Sequence, residues 1–324
     1  MDLILLTLLL LLYSPMCTST GAILREGRHL SRHIIHSYYC DSSSGDIDDR
    51  TLTGFRSILR TQIHIRFILW TSPNCKADTV KQTVSSLRSF CSHSSFEVKS
   101  TAELAAKLAD DSNEGIKACH GMMTSASSPI DEEALKFLTL YFFGGIYIQL
   151  GTLVLRDMSY LHTKSFAFRT SVLETSFSTY VMGFPRMSKI PIQILQYVNN
   201  TCTPNTFSPS NLQLALGCLG GNETSSSSSA QFCNDLIMFP TYYFDPIQAN
   251  DWYYVDLIEH KMNIEKKIWF YTQPSKWSVN YFFPGAYTFY MHMVAYSGVP
   301  HNNSFYSEFR RMNEVCAPPQ PGHP

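Results

Sequence analysis

The segment from Asp131 to Leu155 constrains the fold more than any other part of the chain. Asp131, Glu132 and Glu133 open it, and acidic side chains at a helix start complement the positive end of the helix dipole. Leu135, Leu138 and Tyr141 follow at the spacing of one helical face. Gly144-Gly145 then ends the periodicity, because glycine adopts the left-handed backbone that closes a helix. Ile146, Tyr147, Ile148, Leu150, Leu153, Val154 and Leu155 supply strand material directly after it. A helix, a glycine turn and a buried strand in immediate succession make half of an α/β unit.

The residues upstream supply more of the same alternation. Ile63, Ile65, Phe67, Ile68 and Leu69 read as a buried strand ending at Trp70-Thr71-Ser72, broken by Pro73-Asn74. Val80, Val84, Leu87 and Phe90 predict a helix over 77–91. Phe96-Glu97-Val98 is a short strand, and Ser100 or Thr101 caps a helix running through Leu108, with Glu103 in its first turn. Strand and helix in alternation predict a mostly parallel sheet flanked by helices. His29, His33 and His36 fit one face of a helix. Residues 21–60 therefore read as a stem ahead of a folded domain over 61–316. The run Asp41 to Asp46 reads as a loop, as does Ser225 to Ser229, and 317–324 as a disordered tail.

The N-terminus and the cysteines assign a compartment. Leu3 to Tyr13 is apolar except for Thr7, the length of a signal-peptide core and too short for a span of about 20 residues. Residues 1–20 are thus a cleaved signal or a short type II anchor, and no other run is long enough to span. Sequons begin at Asn199, Asn222 and Asn302. Of nine cysteines, Cys17 lies with the leader, which leaves an even set suited to disulfides in an oxidising compartment. Charged residues are only 16% of the 324, against about 25% in an average domain; glycans and a Ser/Thr surface would supply the missing solubility. The net charge of -1 excludes a nucleic-acid binder. The 44% hydrophobic content excludes a disordered chain.

The run Ala134-Leu-Lys-Phe-Leu-Thr-Leu-Tyr-Phe-Phe-Gly-Gly-Ile-Tyr-Ile-Gln-Leu-Gly-Thr-Leu-Val-Leu155 resembles a family segment of the form S-D-x-x-R-Y-x-x-L-Y-x-Y-G-G-I-Y-x-D-x-D-T. That segment marks the alpha-1,4-glycosyltransferase family with a DXD sugar-binding region, of which lactosylceramide 4-alpha-galactosyltransferase and alpha-1,4-N-acetylglucosaminyltransferase are members. Gly144, Gly145, Ile146, Tyr147 and Thr152 match outright, with Glu133 at the Asp position and Lys136 at the Arg position. Echoes follow in order: Phe67 to Ser72, Ser208-Pro209 with Leu212, Phe244-Asp245-Pro246-Ile247, and Ala286 to Met293. The resemblance implies a GT-A-like α/β fold and transfer of a hexose, with retention, from a UDP-sugar to a glycolipid or glycan acceptor. It also implies a Golgi lumen or Golgi membrane location, with secretion as the alternative. It implies Mn or Mg as cofactor, and it places Thr71, Ser72, Glu133, Lys136, Tyr147, Gln149 and Gly151 around the nucleotide sugar.

One departure bears on the chemistry. The family's Asp-x-Asp falls on Gln149-Leu150-Gly151. Mg²⁺ and Mn²⁺ take hard oxygen ligands, usually carboxylates. Gln149 offers one neutral carbonyl and Gly151 none, so a cation site there is weak or absent. The nearest acid, Asp157, reads as a turn residue, and Tyr290 stands where the family has His. Two further readings therefore stand beside an active transferase. One is a catalytically impaired pseudo-glycosyltransferase acting as a lumenal glycan-binding or regulatory protein. The other is an unrelated disulfide-rich secreted protein, which would have no continuous parallel sheet.

Overall fold

Strand β1, His33–Tyr38, lies inside the main sheet, with a strand on either side. β2 (Ile65–Thr71) runs parallel along one side of it and β3 (Ser95–Ser100) runs parallel beyond β2. On the other side β4 (Gly145–Ile148) is also parallel to β1. After β5 (Thr152–Val154) come β6 (Phe166–Arg169), β7 (Phe177–Phe184), β8 (Ile237–Phe239) and β9 (Thr288–Tyr290). The seven-stranded order is β3-β2-β1-β4-β7-β6-β8, with β7 antiparallel to both neighbours, while β5 and β9 pair in a small antiparallel sheet. The computed structural model describes residues 33–40, 47–72, 85, 87, 90–91, 94–111, 132–169, 177–198, 235–246, 284–291 and 299–316, all within one compact unit.

This is the mostly parallel, helix-flanked α/β sheet that the alternation and the GT-A-like resemblance predict. It also overturns the disulfide-rich reading without a parallel sheet. Both faces are covered, as parallel sheets require. Ile68 and Trp70 point into one buried cluster, and Phe67 and Leu69 into the other, the alternation of a strand. The five α-helices among the described residues are α1 (Asp49–Thr61), α2 (Thr101–Asp110), α3 (Glu132–Phe143), α4 (Lys189–Val198) and α5 (Phe305–Met312). α2, α3 and α4 contribute Leu104, Leu135, Leu138 and Ile194 to the first cluster, and α1 gives Phe55, Ile58 and Leu59 to the second.

The stem expectation fails over residues 33–60. His33 and His36 lie on a strand, not a helix, and α1 packs in the core. The polar residues that disguise these elements are satisfied by tertiary partners. Neutral His36 donates from Nε2 to Gly144 O at 2.9 Å and accepts at Nδ1 from Trp70 Nε1–H at 3.2 Å. Burial pushes its pKa down from 6.5 to about 4. Ser37 Oγ donates to Ile148 O, and Ser57 Oγ on α1 accepts from Val154 N of β5. Asp48 caps α1 by accepting from the backbone N–H groups of Arg50 and Thr51.

Other expectations hold with small shifts. Ile63 sits exposed in the turn ahead of β2. Ser100 caps α2 by accepting from Ala102 N. Asp157 is a turn residue whose carboxylate accepts from Ser159. Most of the helix expected over 77–91, His29, residues 1–20, the loops at 41–46 and 225–229, Ser208-Pro209 with Leu212, Asn199, Asn222 and 317–324 lie outside the described residues. Leu87 and Cys91 are buried. Cys91 bonds Cys316 across 225 residues with Cα atoms 5.5 Å apart, and Cys40 is disulfide-bonded as well. No helix among the described residues is long and apolar enough to cross a membrane.

Candidate functional site

The chain leaves β1 for β2 and β3 on one side, then returns to place β4 on the other. Such a reversal opens a crevice outside the carboxyl ends of the two diverging strands, the preferred ligand position in open α/β sheets. α3 begins at this edge and runs antiparallel to the strands before turning into β4, so its first residues, Glu132 and Glu133, stand beside the carboxyl end of β4. The turn between them needs glycine. Gly145 has φ 103°, and a Cβ there would meet Ile34 O of β1 at 2.2 Å. Only a bare α-carbon lets β4 lie this close to β1.

Four of the sequence-predicted residues converge here. Lys136 is fully buried. Its ammonium donates to Glu133 Oε1, to Gln149 Oε1 at 3.1 Å and to Thr179 Oγ1 at 3.4 Å. An ammonium has three N–H donors, and all three are engaged. Glu132 Oε1 is 3.8 Å from the same nitrogen. The ammonium also stands over the Tyr147 ring, 5.5 Å from its centroid. Tyr147 is buried and donates from its hydroxyl to Glu132 Oε1 at 3.1 Å. Burial, then the neighbouring carboxylate, raise its pKa well above the usual phenol value. Glu132 and Glu133 keep 37% and 26% of their side-chain surface. Glu133 Oε2 is itself buried and its Oε1 accepts from Lys136, so Glu132 is the more accessible carboxylate of the cluster.

Thr71 and Ser72 occupy the carboxyl end of β2, on the same sheet edge but on a different strand from the cluster. Gln149 and Gly151 are pinned through their backbones: Gln149 N donates to Tyr180 O at 2.8 Å and Met291 N donates to Gly151 O at 2.7 Å. Sequence reasoning missed three contributors. Thr179 and Tyr180 come from β7, and the Tyr180 ring packs 4.8 Å from that of Tyr290 on β9. Buried Asp245 acts on both phenols. Desolvation first, then the charge on Asp245 and neighbouring groups, raises Tyr180, and Tyr290 is pushed up to about 12. Where the family that the sequence resembles has an imidazole, this chain has the Tyr290 phenol. Asp245 had a signal, since it lies in the Phe244-Asp245-Pro246-Ile247 echo; Thr179 and Tyr180 had none.

With the Lys136 ammonium in place, the donor set does not fit a divalent cation. Gln149 gives its carbonyl oxygen to Lys136, and Gly151 has no side chain. Among the described residues no group of three His, Cys, Asp or Glu side chains could hold a metal. Among the described residues, two cavities lie away from the cluster. One of about 350 Å³ has Lys164, Pro185 and Lys189 in its wall, and one of about 510 Å³ has Asp49, Asn302 and Arg310. Asn302 itself is exposed.

No protein-family model and no curated protein matches the chain. Solved structures do. The PaToxG glycosyltransferase is 12% identical, with 63% of this chain and 83% of that one covered and a TM-score of 0.37. Mouse xyloside xylosyltransferase 1 in its apo form is 10% identical over 65% of this chain and 86% of its own, with a TM-score of 0.43. GlyE of Streptococcus pneumoniae TIGR4 is 10% identical over 65% of this chain and 46% of its own, with a TM-score of 0.34. All three are glycosyltransferases. At such identities and TM-scores the likenesses say nothing of what this chain does.

Proposed function

We propose that this chain is a glycosyltransferase of the secretory pathway, related to the alpha-1,4 family, that moves a hexose from a UDP-sugar to a glycolipid or glycan acceptor. The observation that carries the reading is the polar cluster of Glu132, Glu133, Lys136, Tyr147 and Gln149 at the carboxyl end of β4. Glu132 accepts hydrogen bonds from donor sugar hydroxyls, with Glu133 beside it. Lys136 and Tyr147 hold those carboxylates in place from behind. Thr71 and Ser72 face the nucleotide from the end of β2. A lumenal location, in the Golgi or secreted, is supported by the disulfides at Cys40 and Cys91–Cys316 and by the exposed sequon residue Asn302.

The test is turnover of UDP-sugars, by hydrolysis and by transfer, at high protein concentration with Mn²⁺ varied or chelated. Release of UDP from one common UDP-sugar supports the proposal; none from any of them overturns it. A second reading, a pseudo-glycosyltransferase that binds a glycan or regulates a true transferase, is favoured by two observations. Lys136 has no N–H left for a diphosphate, and Tyr290 replaces the family's His. Calorimetry separates the two, because an active enzyme binds UDP whereas a protein with a closed donor site does not.

A further inference from the structure

We infer that Lys136 is the resident cation of this site, seated among oxygens that would otherwise receive a divalent metal. The geometry is that of an ammonium in an oxygen cage. Glu133 Oε1, Gln149 Oε1 and Thr179 Oγ1 take its three protons, and Glu132 Oε1 is 3.8 Å away. Two carboxylates, an amide carbonyl and a hydroxyl are hard oxygen donors of the kind Mg²⁺ and Mn²⁺ select. They come from α3, the end of β4 and β7, so one buried charge ties three elements together. The ring of Tyr147 beneath adds its electron-rich face.

The substitution at 149 follows from this arrangement. A glutamine carbonyl accepts from the ammonium without adding a third negative charge beside Glu132 and Glu133. Gly151 adopts φ 78°, a backbone that disfavours a side chain at the second position of the motif. Lys136 is therefore a positioning residue, and a divalent ion cannot enter while the ammonium is present. Resting on the proposed function, the consequence is that any nucleoside diphosphate bound here is bound without metal.

The probe is Mn²⁺ alone, titrated into the purified protein and followed by the paramagnetic resonance of free Mn²⁺, with UDP calorimetry alongside. The unaltered protein takes up no Mn²⁺ up to about 1 mM, with or without UDP, and chelation changes any UDP affinity by less than about twofold. Lys136→Met empties the cage and gains Mn²⁺ affinity by at least about tenfold. Gln149→Asp, which keeps the ammonium, gains none. Mn²⁺ uptake by the unaltered protein or by Gln149→Asp overturns the inference, as does a folded Lys136→Met protein that takes up no Mn²⁺. If Lys136→Met does not fold, the unaltered protein and Gln149→Asp decide. Absence of UDP binding sinks the functional reading instead and leaves the Mn²⁺ result standing.

Discussion

Acid should loosen this fold through His36, and the size of the effect follows from one side chain. The imidazole is fully buried, donates to Gly144 O, and accepts from Trp70. Protonation would place a second N–H against the indole N–H and a charge in the core. Its pKa falls from 6.5 to about 4 on folding, and one pKa unit corresponds to about 1.4 kcal/mol. A depressed folded value means that the unfolded chain binds the proton first. The stabilisation is complete above pH 6.5 and is lost as the pH falls through about 4, a total of about 3 kcal/mol. His36→Gln keeps an amide N–H for Gly144 and a carbonyl for Trp70 but does not titrate. Guanidinium unfolding, followed by tryptophan fluorescence in steps from about pH 7.5 to about pH 4, should show the unaltered protein losing about 3 kcal/mol more than the variant over that span. His162 is depressed to about 3 by burial first, then by His33 and His36; burial and His33 act on it in both proteins, so most of its effect cancels in the comparison. Parallel stability curves for the two proteins would refute the reasoning.

Three further changes test other parts of the fold. Gly145→Ala places a Cβ 2.2 Å from Ile34 O and should cost at least about 3 kcal/mol in unfolding free energy, because backbone must move. Lys136→Met leaves Glu133 facing Gln149 and should cost about 3 kcal/mol, at the low end for a broken buried pair since both carboxylates keep some solvent. Replacing Cys91 and Cys316 together by Ser opens a 225-residue loop and should lower stability by up to about 5 kcal/mol on the chain-entropy account, read by denaturation of the oxidised proteins. On the compartment proposed, Asn302→Gln should remove one glycosidase-sensitive step in electrophoretic mobility.

The parts of the fold legible in the sequence are those whose local chemistry agrees with their surroundings. β2 is a nearly unbroken apolar run, α2 carries its own Ser100 cap, and α3 ends at glycines that its turn requires. β1 was hidden because His33-Ile-Ile-His-Ser-Tyr38 has polar residues at positions that a buried strand usually fills with aliphatics. They are tolerated because Gly144 O, Ile148 O and Trp70, far off in sequence, satisfy His36 and Ser37. α1 was hidden in the same way, with Thr51, Thr53 and Ser57 buried. At the site, the Glu133–Lys136 pair is local and visible at helical spacing. The ties to Gln149 and Thr179 depend on β4 and β7 meeting α3, which no spacing in the chain encodes.

The interior position of β1 also dictates an order of assembly. Its partner β2 follows about thirty residues later, but Ile35 and His36 pair with Ile146 and Tyr147, over a hundred residues on. While the chain is being made, β1 therefore holds one finished edge and one bare edge until residue 148 has emerged. A bare hydrophobic strand edge invites pairing with another chain, and nascent chains with such edges are the ones that aggregate. The bond from Cys91 waits longer still, until Cys316 has emerged. Alterations that slow the β1–β4 pairing, Gly145 first among them, are therefore expected to lower yield during synthesis more than the equilibrium stability of the finished protein would suggest.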